Sequence, residues 1–503
     1  MDKHELLGER PSASDVHSRS VRGGVIAFFA RGGAQFIRLM SLLVLARLLA
    51  PADFGLMAMV MAAVGIADVF RDLGLSAATV QRAEITHQQI NTLFWVNVLF
   101  GFLMMLAVMA VAPMLGRFYS DPRIQNITYA LACSFLLAGL GTQHMALLRR
   151  GLRFKELAYI NLTSMVFGNL AAVVLAALGM HHWSIVLGSL VTSFASTGLA
   201  WHYSAWRPQR PAYDPTVKPM LRFGGALTLF TLMSYIGQNL PSLIIGRSWN
   251  ATAVGVYNRG YLLLSSLTSF ALEPLNLIVP AALARFGDDE RAFREYYLHS
   301  LTITTLLVMP VSLLCVGMPE DIVRVLLGAQ WGETAPLLRL MAMGTLPQAL
   351  CFTTGWIYLA RGDSRRMTHW GAFGWTFLIV CLLAGARFGL EGIATAYAAS
   401  MALLLIPCLL YAFGGTTLTL VGVWQACWRP VAAALLTWVV VMLLWMLLHD
   451  RSAALRLGVC TTVFGLLDVG LLITVFQQRQ TLLALIAQLR SRSTAPAVSR
   501  HGV

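Results

Sequence analysis

Charged and polar side chains inside long apolar runs are the residues of this sequence best suited to chemistry. Arg31, Gln35 and Arg38 fall at positions i, i+4 and i+7 of the first run, which places them on one helix face. A guanidinium is a planar fork that can donate two hydrogen bonds at once to a phosphate or carboxylate. The spacing therefore predicts a polar stripe that faces water or protein instead of lipid and can bind an anion.

A second set of intramembrane charges is mostly acidic. Asp68 and Asp72 lie at i and i+4 in the second apolar run, while the eighth run carries Arg259 near one end and Glu273 towards the other. Folding the first two runs back on each other sets Arg31 level with Asp72. Structural pairing of Arg31 with Asp68 or Asp72 is therefore an alternative to a functional cavity.

The overall composition is typical of a membrane protein. Hydrophobic residues make up 57% of the 503 residues and charged residues only 12%, whereas soluble domains are about 45–50% apolar and 25% charged. The net charge of +14 fits basic cytoplasmic loops, so we expect no nucleic-acid partner. The first apolar run is longer than that of a cleavable signal peptide, and we expect it to be retained.

Several kinds of catalytic site have no counterpart in the sequence. The seven cysteines include no C-x-x-C pair, which argues against a zinc site or a disulfide framework. Neither a Gly-Lys-Ser/Thr phosphate-binding loop nor a His-Glu-x-x-His helix occurs. We therefore expect no metal, no cofactor and no enzymatic activity.

Apolar runs of about 20 residues, the length needed to cross a bilayer, predict an all-α polytopic membrane protein with about fourteen transmembrane helices. The runs lie near residues 24–49, 54–76, 91–115, 127–148, 157–179, 183–205, 221–246, 254–283, 296–318, 335–360, 367–386, 391–413, 430–449 and 456–476. With the N-terminus inside, cytoplasmic segments carry 25 of the 37 lysines and arginines and periplasmic loops carry 7. This bias predicts that both termini are cytoplasmic.

An internal repeat divides the predicted helices into two lobes. A shift of 200 positions aligns residues 43–47 with residues 243–247 and places Gly55 on Gly255. Both stretches end an odd-numbered span, so the halves should be related by an axis along the membrane normal. The predicted segments are a tail at 1–23, a six-helix N-lobe at 24–205, a linker at 206–220, a six-helix C-lobe at 221–413, two further helices within 414–476 and a tail at 477–503.

The residues around these turns resemble a known family. Residues 45–55, Leu-Ala-Arg-Leu-Leu-Ala-Pro-Ala-Asp-Phe-Gly, resemble the first periplasmic turn of Wzx-type polysaccharide flippases, within the superfamily of multidrug, oligosaccharidyl-lipid and polysaccharide exporters. Residues 244–247 and 254–259 resemble the start of that family's second lobe, and the likeness covers about residues 20–415. The resemblance implies two six-helix bundles around a central cavity. It also implies a transporter that moves an undecaprenyl-pyrophosphate-linked oligosaccharide to the outer leaflet.

The resemblance gives the polar residues expected roles. The expected pyrophosphate- and sugar-binding residues are Arg31, Gln35, Arg38, Arg259, Gln238 and Asn239, and the expected gating or coupling residues are Asp68, Asp72 and Glu273. For the amides, hydrogen bonding between helices is the alternative role. Arg31 and Glu273 should lie at similar depth in different lobes, where an ion pair between them could close the cytoplasmic mouth.

Two other functions remain alternatives. A cation-coupled multidrug exporter would share the fold but would favour an apolar or acidic pocket, whereas the first span carries two arginines. A membrane-embedded polysaccharide polymerase or glycosyltransferase would need a sizeable extramembrane loop, and the longest predicted periplasmic loop is 319–334. We expect a bacterial inner-membrane protein with a lipid-linked oligosaccharide and membrane lipid as partners, and with a polysaccharide polymerase and a chain-length regulator in the same pathway.

Overall fold

The computed structural model describes residues 13–69, 76, 79–80, 85–211, 225–287 and 289–475. Side chains are described for these residues except 13–29, 31, 225–231, 270, 271 and 277. The first half of the predicted N-terminal tail, the predicted linker from residue 212 onward and the predicted C-terminal tail therefore lie outside the described residues.

Long α-helices carry almost all of the described chain and no strand occurs in it, which confirms the predicted all-α fold. The helices are α1 (Ala13–Leu48), α2 (Pro51–Val69), α3 (His87–Tyr119), α4 (Pro122–Arg150), α5 (Phe154–Ala177), α6 (His182–Tyr203), α7 (Gly225–Ser248), α8 (Ala251–Phe286), α9 (Glu290–Gly317), α10 (Pro319–Leu326), α11 (Thr334–Met343), α12 (Thr345–Arg361), α13 (Ser364–Gly385), α14 (Gly389–Phe413), α15 (Leu420–Leu447) and α16 (Ala453–Thr474). Within the described ranges, nine helical segments are long and apolar enough to cross a membrane, or ten if the bent α8 counts as one span. Every predicted span overlaps at least one of the helices α1 to α16. The count of fourteen crossings remains a prediction.

Turn residues separate the helices at positions that the sequence marks. At the turn between α3 and α4, Ser120 has a left-handed backbone (φ 55°) and Asp121 is the N-cap of α4. The guanidinium of Arg123 donates to the Asp121 carboxylate at 2.7 Å, and this hydrogen bond holds the pKa of Asp121 below its usual value. The charged, capped turn suits a polar loop outside the hydrocarbon core.

Contacts group the helices into two units, and the first contains most of the N-terminal half. Unit 1 comprises Met1–Gly260, Leu326–Thr334 and Leu382–Leu390. In its described part, α3 packs along α4, α5 along α6, α1 along α5 and α7 along α2. The segment at 326–334 is held to α1 because Trp331 Nε1 and Gln330 Nε2 both donate to the carbonyl of Ala46, at 2.7 and 2.5 Å.

Unit 2 contains the remaining helices and is organised around α9. It comprises Tyr261–Val325, Ala335–Cys381 and Glu391–Val503. Within the part that the structure describes, α9 packs against α12 and α15, and α16 packs against α15. Leu313, Val441 and Phe464 bury their side chains in one cluster that joins α9, α15 and α16. The two helices predicted to follow the C-lobe are therefore packed onto this unit.

Gly55 in α2 and Gly255 in α8 make a reciprocal backbone contact inside unit 1. A Cβ atom on Gly55 would overlap the carbonyl of Ala251, and a Cβ atom on Gly255 would overlap the carbonyl of Pro51. Both glycines and both carbonyl residues are related by the same 200-residue shift that aligns the two repeats. The starts of α2 and α8 thus pack against each other with related geometry, and only residues without a Cβ permit this approach.

The predicted orientation of the helices can be tested with topology reporters. We expect reporter domains fused after Trp206 and after Arg366 to read cytoplasmic, and one fused after His182 to read periplasmic, because the positive charge of the loops alternates in this way. Alkaline phosphatase and green fluorescent protein fusions give the two signals. Opposite signals at any two of these sites would rule out the fourteen-span topology.

Candidate functional site

A polar cavity of about 660 Å³ lies among α1, α4, α5 and α6 of unit 1. Two of its lining residues, Arg38 and Arg149, carry a positive charge. The neutral polar lining consists of hydroxyl and amide side chains, namely Ser76, Thr142, Asn161, Ser164, Thr192, Ser193, Ser196 and Thr197. Its volume lies in the middle of the range of small-molecule sites, about 300–1,000 Å³.

Arg38 reaches this cavity from one face of α1. Ala30, Ala34 and Arg38 line the cavity at intervals of four residues, which is the spacing of one helix face. The two alanines occupy little volume, so they leave space in front of the arginine. Ser41 Oγ donates to Asn169 Oδ1 of α5 at 3.0 Å, less than one turn from Arg38. This bond helps to fix which face of α1 points into the cavity.

Arg149 brings a second guanidinium from the last turn of α4. Its neighbour Arg150 is committed elsewhere, because Nη1 of Arg150 donates to the carbonyl of Thr79 at 3.0 Å. Arg38 and Arg149 are exposed, and among the residues that the structure describes no carboxylate forms an ion pair with either of them. Two guanidinium groups in one cavity can bind an anion such as a diphosphate through bidentate hydrogen bonds.

The hydroxyl groups around the two arginines complement them chemically. Several donate to helix carbonyls, as Thr192 Oγ1 does to Gly188 at 3.0 Å and Thr142 Oγ1 does to Ala138 at 2.8 Å. A hydroxyl that donates in this way still offers lone pairs. The cavity therefore presents cationic donors for an anion and acceptors for the hydroxyl groups of a sugar.

The other polar residues predicted on the first two helices are not placed in this cavity. The side chain of Arg31 and the whole of Asp72 lie outside the described residues. Gln35 is half-buried on α1 and Asp68 is exposed on α2, and neither lines the cavity. Their roles, including the ion pair between Arg31 and Glu273, remain predictions.

The two amides predicted on α7 do not line this cavity either. Gln238 is exposed, and Asn239 Nδ2 donates to the carbonyl of Tyr235 at 2.9 Å within the same helix. That bond is a local contact along one helix, so sugar binding by these two residues stays a prediction.

Arg259 lies against aromatic rings near the start of α8. Its Cζ atom is 3.6 Å from the centre of the Phe54 ring, which in turn packs against Trp331 at 5.5 Å between ring centres. A guanidinium over an aromatic face is attracted by the ring quadrupole. The Nε atom of Arg259 is buried and has no hydrogen-bond partner among the described atoms. Binding of substrate by Arg259 remains a prediction, because this residue does not line the cavity of unit 1.

A second cavity, of about 290 Å³, lies in unit 2 among α8, α12 and α14. It brings Glu273, the predicted gating residue on α8, together with the amides of Asn276 and Gln348. Beside it α8 bends by 57° between Ser269 and Leu272. The cause lies in the sequence, because a proline at position 274 cannot donate the helical hydrogen bond to the carbonyl four residues before it.

Arg149 is the charged residue of the cavity that was not predicted from the sequence. It belongs to a basic pair at the predicted cytoplasmic end of a span, and such pairs are explained by orientation alone. A usable signal was the run of Thr192, Ser193, Ser196 and Thr197, whose spacing places four hydroxyls on one face of α6. A polar face of this kind on a membrane helix indicates a neighbouring polar cavity.

Apolar helices of spanning length, with a charged and hydroxyl-lined cavity between them, define a multi-pass membrane protein with the architecture of a transporter. The chain belongs to the polysaccharide biosynthesis protein family, whose sequence profile matches residues 44–336. This match confirms the resemblance to Wzx-type polysaccharide flippases that the turn sequences indicate.

Individual relatives agree with this assignment. The lipopolysaccharide biosynthesis protein WzxC of Escherichia coli (strain K12) is 27% identical over 330 residues, which cover 64% of this chain and 66% of the relative. The teichuronic acid biosynthesis protein TuaB of Bacillus subtilis (strain 168) is 26% identical over 310 residues, which cover 60% of this chain and 63% of the relative. The chain thus matches just under two thirds of the length of these relatives.

A solved structure shares the fold. The lipid II flippase MurJ in an inward closed conformation superposes with a TM-score of 0.71, at 11% identity, over 90% of this chain and 100% of MurJ. At 11% identity the similarity establishes the fold alone. The substrate class has to be inferred from the residues of the site.

Proposed function

We propose that this chain is a flippase that carries undecaprenyl-pyrophosphate-linked oligosaccharide repeat units across the bacterial inner membrane, for exopolysaccharide or lipopolysaccharide synthesis. The observation that carries the proposal is the presence of Arg38 and Arg149 in one hydroxyl-rich cavity of a multi-pass protein. The arginines suit the diphosphate and the hydroxyls suit the sugar. WzxC and TuaB are named for lipopolysaccharide and teichuronic acid biosynthesis, and MurJ, whose fold is similar, is named as a lipid II flippase. These names support the same substrate class.

The physical task is to move a charged headgroup through hydrocarbon. An isolated ionised group in an apolar medium costs on the order of tens of kcal/mol. A cavity that replaces water with fixed guanidinium and hydroxyl groups removes most of this cost, while the lipid tail stays in the bilayer. Transport then requires the cavity to open to one side of the membrane at a time, by rocking of one lobe against the other.

The proposed setting follows from this task. The termini face the cytoplasm, where the lipid-linked unit is assembled, and the product is delivered to a polysaccharide polymerase and a chain-length regulator on the other side. A cation-coupled multidrug exporter of the same fold is disfavoured, because two arginines would repel a cationic drug from the cavity.

Replacing Arg38 with alanine tests the proposed function. We expect polysaccharide export to fall about tenfold or more, because a hydrogen bond to a charged group contributes about 1.5–3 kcal/mol and about 1.4 kcal/mol corresponds to tenfold. Arg149→Ala should act in the same direction. Arg38→Lys should rescue only part of the loss, since lysine keeps the charge but lacks the fork. Export is measured as surface polysaccharide per amount of membrane-inserted protein, in cells without the chromosomal gene.

The matched control removes an arginine from a solvated surface. Arg291 and Glu295 form an ion pair whose side chains are 89% and 68% exposed, so Arg291→Ala should leave export close to the wild-type level. Wild-type export by Arg38→Ala at normal protein levels would contradict the proposed role of this cavity.

A further inference from the structure

We propose that the cavity in unit 2 is a subsite for one neutral sugar ring of the transported oligosaccharide. This inference rests on the flippase function proposed above and adds the chemistry of the second cavity. The site takes an uncharged pyranose by stacking and by hydrogen bonds, and it excludes the pyrophosphate.

Aromatic rings supply one half of this chemistry. Tyr261, Phe352 and Tyr397 line the cavity from three different helices. The Tyr261 and Tyr397 rings meet edge to face, with 5.9 Å between centres and 89° between planes. The negative face of an aromatic ring attracts the weakly positive C–H bonds on the apolar side of a sugar ring. Aromatic walls with a few polar groups are also the usual composition of small-ligand pockets.

Polar groups that are already oriented supply the other half. Asn276 Oδ1 accepts a hydrogen bond from Nε1 of the buried Trp356 at 3.0 Å. This bond fixes the orientation of the amide and leaves Nδ2 to donate to a ligand. Thr345 is only 2% exposed, yet its Oγ1 has no hydrogen-bond partner among the described atoms. A buried hydroxyl without a partner costs free energy that a ligand hydroxyl can recover.

Charge and volume restrict the ligand. Among the described residues that line the cavity, Glu273 is the charged one, and none of them is a lysine, arginine or histidine. A carboxylate repels uronic acids and phosphates and accepts hydrogen bonds from sugar hydroxyls. The volume of about 290 Å³ lies at the small end of ligand pockets, which leaves room for about one ring.

A monovalent cation is the competing occupant, and the lining favours it less. Hard cations prefer several oxygen ligands, usually with carboxylates among them. Here the lining contains one carboxylate and three aromatic rings. The described residues hold no group of three histidine, cysteine, aspartate or glutamate side chains placed to bind a metal ion. Aromatic carbons do not replace the oxygen ligands that a hard ion loses when it leaves water, whereas an aromatic face stacks well against a sugar ring.

Cysteine protection tests the subsite without requiring transport. A cysteine-free variant that retains export would carry Ser269→Cys as a reporter in the unit 2 cavity, or Ser196→Cys as a reporter in the unit 1 cavity. The purified protein is labelled with N-ethylmaleimide in the presence of methyl glucoside, methyl galactoside, methyl glucuronide or inorganic phosphate. Sodium chloride is compared with choline chloride in a separate arm.

We expect a neutral methyl glycoside to slow labelling at position 269 about threefold when present at about twice its Kd. Methyl glucuronide and phosphate should give no protection there. Gln348→Ala together with Asn276→Ala should abolish the protection. Gln88→Ala, which removes an exposed amide from α3, should leave it unchanged.

The opposite results would overturn the subsite. They are labelling at 269 that no neutral glycoside slows, protection by sodium without sugar, or protection by glucuronide equal to that by glucoside. These outcomes are separate from failure of the flippase function, which is measured by export in the Arg38 variants. If Arg38→Ala loses export but no neutral glycoside slows labelling at position 269, only the subsite proposal is contradicted.

Discussion

A single methyl group at position 255 is expected to weaken the contact between α2 and α8 by about 3 kcal/mol. In Gly255→Ala the new Cβ would overlap the carbonyl of Pro51 and approach the nitrogen of Gly55 to 3.2 Å. A backbone carbonyl cannot rotate away as a side chain can, so the cost lies at the top of the range of about 1–3 kcal/mol for overpacking. This cost corresponds to about a hundredfold change in the equilibrium of the packed state.

The sign of the effect separates packing from helix propensity. Alanine is normally favoured over glycine inside a helix by about 0.5–1 kcal/mol, so the substitution should stabilise a helix that has room for it. Gly198 in α6 provides this control, because a Cβ there would meet no atom within 4 Å. We expect Gly198→Ala to maintain or raise the midpoint of thermal unfolding, whereas Gly255→Ala and Gly55→Ala lower it.

Transport should respond in the same order. The contact lies at the predicted periplasmic ends of α2 and α8, next to the Arg259 guanidinium on Phe54. A variant that cannot form the contact should lose the state in which these helix ends are packed, so export should fall towards background. Purified protein in detergent gives the unfolding midpoint, and surface polysaccharide gives export. Equal midpoints for Gly255→Ala and Gly198→Ala would contradict the reciprocal contact.

The sequence predicted the helices well because membrane helices are marked by long apolar runs and by turn residues. The turn at 120–123 is an example, since its Asp and Pro become the cap and first residue of α4. The span predicted at 335–360 was not described correctly as one helix. In the structure it is divided at Gly344 into α11 and α12. Hydropathy alone does not register such a break, since one glycine barely changes the mean over twenty residues.

Long-range contacts were only partly predictable. The 200-residue shift related Gly55 to Gly255, but similarity between repeats does not indicate that the equivalent residues touch. That contact depends on how two helix starts cross, which is fixed by packing of the whole unit. The absence of a side chain at both positions is the only local hint of a close approach.

The site was predictable in kind but not in every residue. Arg38 was predicted as a candidate because a charge in the middle of an apolar run is expensive and needs a function or a partner. Arg149 was missed because, for a basic pair at a helix end, only the rotation of the helix decides which member faces a cavity. Here Arg150 turns to the carbonyl of Thr79 and Arg149 to the cavity. Such a rotation follows from side-chain packing and is not encoded in charge spacing.

Removing the charge of Asp321 is expected to destabilise unit 2 by about 3–5 kcal/mol. Asp321 in α10 and Arg456 in α16 form an ion pair at 2.5 Å, with side-chain exposures of 3% and 14%. Arg456 Nε donates to the second carboxylate oxygen at 3.1 Å, and Trp445 Nε1 donates to that oxygen at 2.7 Å. In Asp321→Asn the guanidinium would remain buried without its counter-ion, which is the costly way to break such a pair.

A double variant distinguishes loss of the ion pair between Asp321 and Arg456 from loss of packing. Asp321→Leu combined with Arg456→Met removes both charges and keeps the volume, so it should recover most of the stability lost in Asp321→Asn. Glu295→Gln breaks the exposed pair with Arg291 and should cost less than about 0.5 kcal/mol. The midpoint of thermal unfolding of the purified protein provides the measurement for all three variants. Because the pair joins the start of α16 to α10, the single variant should also expose α15 and α16 to proteolysis. An unfolding midpoint for Asp321→Asn equal to that of Glu295→Gln would show that the ion pair does not hold these helices in place.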